Sequence, residues 1–245
     1  MSEGFDSTQR PLFGSRYARP VRRVGIHGFT ASLTVMLALS ACGGSSDGDE
    51  STKINGSIHV PAGKPPGAVA TVNGSIHIDD NAAVTSATTV NGSVHLGVHA
   101  AATSLSSVNG SIVLGTGAHA SGSASSVNGE LTLEDGAEIL GSLSNVNGKI
   151  ALTAAHVGGG IKTVNASMNI TGASHVEGGI LVEKPSSELV RLVHDVPRIV
   201  IGPGATVQGE LRFERPVQLF VSDKATIGTV TGATPIPFTG ETPPT

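Results

Sequence analysis

Apolar residues recur in pairs, two positions apart, from residue 54 to residue 230. In the unit that begins at Val127 and restarts at Val146, the apolar positions are Leu131, Leu133, Ala137, Ile139 and Leu143. Because alternate residues of a strand point to the same side, a pair of this kind predicts a short strand with one buried face. The pairs return about every six residues, so three strands form one unit, and the period of about 3.6 residues that is typical of amphipathic helices is absent.

A tripeptide, Val-Asn-Gly or a close variant, marks each unit once. Its seven copies are 18 or 19 residues apart, with asparagines at Asn55, Asn73, Asn91, Asn109, Asn128, Asn147 and Asn165. Asn-Gly is also typical of hairpin turns, so an antiparallel meander is the alternative fold. A meander needs a strong turn after every strand, whereas this tripeptide comes once per three strands. We therefore predict an all-β, single-stranded, three-sided parallel β-helix with about 18 residues per coil, and we expect it to be right-handed.

Stacking of such coils gives each column of residues a constant environment, because neighbouring coils lie about 4.8 Å apart. The seven asparagines fall at a corner, where each side-chain amide is expected to bond to the amides above and below it in a structural ladder. The glycine that follows is expected to take the positive φ of the corner. Ala166 replaces that glycine in the last copy, which predicts either a less strained corner or a small local loss of stability.

The rhythm divides the chain into segments. Seven Val-Asn-Gly coils are predicted at residues 54–183, and further coils without the tripeptide at residues 199–232. Between them, residues 184–198 break the rhythm and predict an insertion, either a loop or a short helix. Residues 233–245 contain four prolines and predict a disordered tail.

Residues 22–42 have the features of a secretory signal. Arg22 and Arg23 precede an apolar run from Phe29 to Leu39, which is too short to cross a bilayer, since crossing takes about 20 apolar residues. The end of the run, Leu-Ser-Ala-Cys, resembles a lipobox, in which the cysteine is lipidated and becomes the new N-terminus. We predict a signal peptide with lipobox at 1–41, lipid attachment at Cys42 and a flexible Gly/Ser and acidic tether at 42–53. The alternative is a plain signal or anchor helix with an incidental cysteine.

Composition narrows the possible functions. Cys42 is the only cysteine, so no internal disulfide can form. Residues 42–245 carry ten Lys or Arg and seventeen Asp or Glu, a net charge near −7, and contain no tyrosine or tryptophan. Nucleic-acid binding needs clustered basic side chains, usually with aromatic side chains that stack on bases, so the sequence excludes it.

Histidines are the candidate metal ligands. His59, His77 and His95 hold the same position in three successive units, so they are expected to stack outside the coil, about 5 Å apart. Such an imidazole column could bind a transition metal such as Zn²⁺ or Ni²⁺; the alternative is a solvated face that inherited histidine by duplication. A dedicated site would also need a carboxylate, and Asp79 and Asp80 are placed on a corner. We therefore predict no metal and no other cofactor. His119, His156 and His175 lie near the middle strand of their repeats, but their spacing predicts that they do not share one register.

No catalytic motif is found in the sequence. Acidic residues are scattered, and the adjacent pair Glu134 and Asp135 is typical of an exposed turn rather than of the paired carboxylates of glycoside hydrolysis. Serines occur without a Gly-x-Ser-x-Gly elbow, and no phosphate-binding loop is present. We predict that the protein is not an enzyme.

Two stretches resemble the bactofilin-type, polymer-forming β-helix proteins: Gly-Ala-Glu-Ile-Leu-Gly-Ser-Leu at residues 136–143 and Ile-Gly-Pro-Gly-Ala-Thr-Val-Gln-Gly-Glu-Leu at residues 201–211. The Val-Asn-Gly-Ser stretches also resemble repetitive adhesin-type domains of bacterial envelope proteins. The first resemblance implies a triangular β-helix that associates end to end. The export signal and lipid anchor depart from cytosolic bactofilins.

These features together predict a non-catalytic lipoprotein of the cell envelope with a β-helix scaffold that self-associates through its coil ends. The alternative is an adhesin-like module that binds a polysaccharide, peptidoglycan or another envelope protein through a flat strand face. The residue after Cys42 is Gly43, not the aspartate that is typical of proteobacterial lipoproteins kept in the inner membrane. We therefore expect the protein at the outer membrane, facing the periplasm.

Overall fold

The computed structural model of the chain describes residues 51–185 and 196–244. Within these ranges every strand pairing is parallel, and the residues that pair in neighbouring coils are 18 or 19 positions apart over the seven Val-Asn-Gly coils, as for Ile76 with Val94 and Leu131 with Ile150. The fold is a parallel β-solenoid of about ten turns, which confirms the predicted class and excludes the antiparallel meander. The described ranges also contain no helix with the length and apolar character that a membrane crossing requires.

The strands follow one another in chain order around the coil. The first nine are β1 (Ser51–Asn55), β2 (Ile58–Val60), β3 (Ala68–Asn73), β4 (Ile76–Ile78), β5 (Ala83–Asn91), β6 (Val94–Leu96), β7 (Ala101–Asn109), β8 (Ile112–Leu114) and β9 (His119–Ala120). The next seven are β10 (Ala124–Leu133), β11 (Glu138–Ile139), β12 (Leu143–Thr153), β13 (His156–Val157), β14 (Ile161–Thr171), β15 (His175–Val176) and β16 (Ile180–Val182). The last seven are β17 (Arg198–Ile201), β18 (Thr206–Val207), β19 (Leu211–Phe213), β20 (Gln218–Ser222), β21 (Thr226–Ile227), β22 (Val230–Thr231) and β23 (Ile236–Phe238).

The core is a narrow column of side chains inside the coil. Each turn directs one pair of residues inward from each of its three sides, and in the coil around β10 to β12 two of these pairs are Leu131 with Leu133 and Ala137 with Ile139, all fully buried. Among the described residues, the apolar interior consists of Val, Ile, Leu and Ala with Met168, and the one aromatic side chain inside the coil is Phe213, near the C-terminal end. Burial of these apolar side chains is the main stabilising contribution to the fold.

The third inward pair differs from the predicted one. The valine of the tripeptide was expected in the core, but it is only half-buried in each of the six coils that contain it, and Ile54 in the first coil is exposed. A polar residue just before it points inward instead, in six successive coils: Thr71, Thr89, Ser107, Ser126, Asn145 and Thr163. The first five of these side chains donate hydrogen bonds of 2.9–3.2 Å to the carbonyl oxygen of the corner glycine of the preceding coil. The buried donors thus satisfy backbone acceptors that would otherwise lie unpaired at the corner.

Four of the six corner glycines are required for a different reason from the predicted one. Gly56 and Gly148 have the positive φ that was expected, but Gly74, Gly92, Gly110 and Gly129 do not, so the expectation of a left-handed corner is wrong for these four. A Cβ atom on Gly92 would lie 2.0 Å from the carbonyl oxygen of Gly74 in the coil below. The constraint is therefore the close approach of stacked backbones, which leaves no room for a side chain. Ala166 is accommodated because its corner differs: its N–H donates to Thr163 Oγ1, and the alanine is fully buried.

The segment boundaries also shift. The tether predicted at 42–53 is too long, because β1 begins at Ser51 and pairs with β3; its earlier residues, and the signal peptide, lie outside the described ranges. Strand β16 ends at Val182 and β17 begins at Arg198, so the insertion predicted at 184–198 ends at residue 197, one residue before its predicted end. The loop or helix predicted for this insertion falls largely outside the described ranges.

The predicted disordered tail contains a strand. Residues 236–238 form β23, which pairs in parallel with β20. Phe238 is buried against Val200 and Phe220 on the outer face of the coil, so apolar packing overrides the proline-rich composition that predicted disorder. Arg198 lies over the ring of Phe220, 4.6 Å from its centre, and donates a 2.9 Å hydrogen bond to the carbonyl oxygen of Pro244.

Candidate functional site

The asparagine corner forms a continuous ladder of side-chain hydrogen bonds. In each of six steps, Nδ2 of one asparagine donates to Oδ1 of the asparagine one coil earlier, from Asn73 to Asn55 through Asn165 to Asn147, with lengths of 2.8–3.0 Å. At the C-terminal end, the Arg215 guanidinium donates to Asn165 Oδ1 and, at 3.0 Å, to the carbonyl oxygen of Val164. All seven predicted asparagines take part. The ladder fixes the register of the coils, and its role is structural.

The first histidine column lies on the outer face of β2, β4 and β6. His59, His77 and His95 are in register, each between two buried residues of its strand. The rings of His59 and His77 stack with centres 5.5 Å apart and planes 12° apart, and those of His77 and His95 with centres 5.0 Å and planes 10° apart. This is the arrangement that the repeat predicts.

Asp79 completes the column in a way that sequence reasoning missed. Its corner position was expected to keep it from the histidines, but the carboxylate lies 2.9 Å from His59 Nε2 and 3.4 Å from His77 Nε2. The reason is geometric: Asp79 is two residues after His77, on the same outward side, and the strand ends there, so its side chain is directed toward the coil below. The other corner carboxylate, Asp80, instead accepts a 2.7 Å hydrogen bond from the N–H of Val98.

A second column, on the next side of the coil, contradicts the expectation that His119, His156 and His175 share no register. His119 pairs with Glu138, Glu138 with His156, and His156 with His175. Counted from the preceding asparagine, His119, Glu138 and His175 come ten residues later, but His156 comes nine. The corner before β13 is one residue shorter than in the coil below, and this difference hid the column in the sequence.

Glu138 is the centre of this second column. Its two carboxylate oxygens accept hydrogen bonds from Nδ1 of His119 and Nδ1 of His156, both 2.8 Å long, and Nε2 of His156 lies 3.1 Å from Glu177 Oε1. The hydrogen bond to His156 holds the pKa of Glu138 below its usual range, aided by His119, although partial burial opposes the shift. The hydrogen bond to Glu138 raises the pKa of His156, aided by Glu177 and opposed by partial burial.

This pair predicts a pH-dependent contribution to stability. Because the pKa of His156 is raised, the stabilisation that this side chain contributes is fully present below about pH 6.5 and is lost as the pH rises through the pKa of the folded state. Because the pKa of Glu138 is lowered, its stabilisation is fully present above about pH 4.3 and is lost as the pH falls through the pKa of the folded state. We expect the pair to stabilise the fold most between these limits, by less than about 1 kcal/mol, because both side chains are about one third exposed.

The measurement is urea unfolding at pH 5.5 and pH 8.5. The Glu138→Gln variant should lose less free energy of unfolding over this interval than the parent protein loses. Glu130→Gln is the matched control, because Glu130 is paired with Lys149 at 3.4 Å and a lysine keeps its charge throughout the interval. An equal loss in the parent and in Glu138→Gln would contradict the prediction.

The acidic pair that the sequence places at an exposed turn is found there. Glu134 and Asp135 are exposed at a turn, and Glu134 accepts a 3.4 Å hydrogen bond from Thr116. Cys42, the predicted lipid attachment site, lies outside the described ranges. Compared with models of protein families, with curated protein sequences and with solved structures, the chain matches none.

Proposed function

We propose that the chain is a non-catalytic lipoprotein of the cell envelope, whose β-solenoid is a rigid scaffold attached to the membrane through a lipid on Cys42. The observation that carries this proposal is the unbroken stacking of coils from β1 to β23, in register on all three sides. Ten turns at about 4.8 Å per turn make a rod roughly 45 Å long. The sequence features of an export signal and lipobox before the rod supply the attachment.

The ends of the described solenoid favour a single rod over an end-to-end polymer. Lys53 of β1 occupies the register of the inward polar column, paired with Thr71, and its ammonium group donates a 2.7 Å hydrogen bond to the carbonyl oxygen of Ser57. Another coil stacked on β1 would bury this charge, which is costly. At the other end, β23 contains Pro237, which has no N–H for pairing with a further strand.

Fractionation of cells that produce the full chain tests the proposal. The parent protein should sediment with the membranes and incorporate a labelled fatty acid, and the Cys42→Ser variant should do neither. Ser40→Thr, two residues before the cysteine, is the matched control and should retain the fatty-acid label. A parent protein that carries no fatty acid would refute the lipoprotein assignment.

Sedimentation velocity of the Cys42→Ser protein should give one monomeric species. Filaments, or oligomers whose size increases with concentration, would refute the single rod.

A further inference from the structure

We propose that His59, His77 and Asp79 form a binding site for a divalent transition-metal ion, with Zn²⁺ as its representative. One ring nitrogen of His59, one of His77 and a carboxylate oxygen of Asp79 all lie within 4.8 Å of one another, and it is Nε2 of each ring that faces the carboxylate. The three side chains come from two successive coils, so the site exists only when the coils are stacked. This inference goes beyond the scaffold function and does not depend on it.

The backbone holds the three ligands in place. His59 and His77 are fixed by the pairing of β2 with β4, and the nearly parallel rings bring both Nε2 atoms to the side where Asp79 lies. The N–H of Asp79 donates a 3.0 Å hydrogen bond to the carbonyl oxygen of Val60, and its own carbonyl oxygen accepts a 3.0 Å hydrogen bond from the N–H of Ala82. The site therefore needs only side-chain adjustment to close on an ion.

The donor set selects the class of metal. Imidazole nitrogens suit zinc, copper, nickel and iron, whereas calcium and magnesium are bound mainly by oxygen ligands. Two nitrogen ligands of a tetrahedral Zn²⁺ ion are about 3.3 Å apart, a separation that small rotations of two exposed rings can reach. Asp79 supplies the third ligand. Water completes the coordination, because the side chains of His59 and His77 are 63% and 50% exposed to solvent.

The third ring of the column has a positioning role. His95 stacks on the face of His77 opposite His59, which restricts the rotation of the His77 ring. For metal binding, both Nε2 atoms must be unprotonated, so each neutral imidazole carries its proton on Nδ1. The contacts of the two Nε2 atoms with the Asp79 carboxylate are then replaced by bonds from the nitrogens and the carboxylate to the ion.

The second histidine column is a weaker candidate for the same chemistry. Both ring nitrogens of His156 face carboxylate oxygens, one on Glu138 and one on Glu177. These carboxylates favour the protonated ring, which has no lone pair for a metal. The oxygens of Glu138 are themselves shared between two histidines.

Competition with a chromogenic zinc chelator tests the proposal on the untagged full chain with Cys42→Ser, which removes the one thiol. We expect one Zn²⁺ per chain, and His59→Gln, His77→Gln and Asp79→Asn should each weaken binding by roughly tenfold or more. His175→Gln, in the second column, is the matched control and should bind as tightly as the parent. These positions are on the outer face, where later coils carry Val113, Thr132 and Ala151 in the histidine column, so the variants should fold.

Histidine-selective ¹⁵N NMR provides an independent readout. Zn²⁺ should shift the Nε2 signals of two histidines, and these signals should be missing from the spectra of His59→Gln and His77→Gln respectively. The proposal is overturned if the parent binds no Zn²⁺, if the three site variants bind as tightly as the parent, or if His175→Gln weakens binding as much as they do.

Discussion

Gly92→Ala is expected to destabilise the solenoid by about 2–3 kcal/mol. The new Cβ atom would lie 2.0 Å from the carbonyl oxygen of Gly74 and 2.5 Å from its carbonyl carbon, far inside contact distance. Both are backbone atoms of the neighbouring coil, so no flexible side chain can move aside. The coils must separate locally, and separation weakens the asparagine ladder and the inward hydrogen bond of Ser107 at the same corner.

Urea unfolding of the parent and variant measures this loss. Gly63→Ala is an informative control, because Gly63 has a φ of 79° but no atom within 4 Å of its added Cβ. This variant should lose only the cost of a left-handed alanine, about 1 kcal/mol. Equal losses in the two variants would mean that backbone conformation, rather than the approach of stacked corners, sets the requirement for glycine.

Leu105→Ala is expected to cost an amount near the upper end of about 2–5 kcal/mol. Leu105 is almost fully buried, and its neighbours in the same inward column, Ala87 below and Ala124 above, are both alanines. The leucine therefore fills space that its small neighbours leave open. Its removal would place three alanines in succession and leave a cavity that two rigid, hydrogen-bonded strands cannot collapse to fill.

A double variant tests this explanation. Ala87→Leu alone should be destabilising, by about 1–3 kcal/mol, because it crowds Leu105. Combined with Leu105→Ala, it returns a leucine to the column, so the double variant should be more stable than the sum of the single losses predicts. Simple additivity of the two losses, measured by urea unfolding, would show that the two positions do not share one packing space.

Most of the fold could be predicted from the repeat in the sequence. Seven Val-Asn-Gly copies gave the coil length, the parallel class, the asparagine ladder and the stacking of His59, His77 and His95, because each of these depends only on periodic spacing. The inward polar column was missed because the apolar pattern assigned Val72 and its equivalents to the core, whereas alternation from the preceding inward residue selects Thr71. The signal was available: a threonine, serine or asparagine precedes the valine in each of the six later copies.

Other features depended on information that spacing does not contain. The reach of the Asp79 carboxylate to two histidines is set by where β4 ends, and the packing of Phe238 on Phe220 is a contact outside the coil that no inward pattern marks. The column of His119, Glu138, His156 and His175 was hidden by a single missing residue, even though its members stack directly in space.

That missing residue has a wider consequence. The coils differ in length only at corners: Ser121, Gly122 and Ser123 stand where the coil below has Thr103 and Ser104, and the corner before β13 is shorter by one. A residue gained or lost at a corner leaves every strand facing as before, whereas one gained within a strand would turn its inward side chains to solvent. The corners are thus the places where the gene can vary in length without penalty, and repeats that have drifted out of phase in the sequence remain aligned in the folded chain.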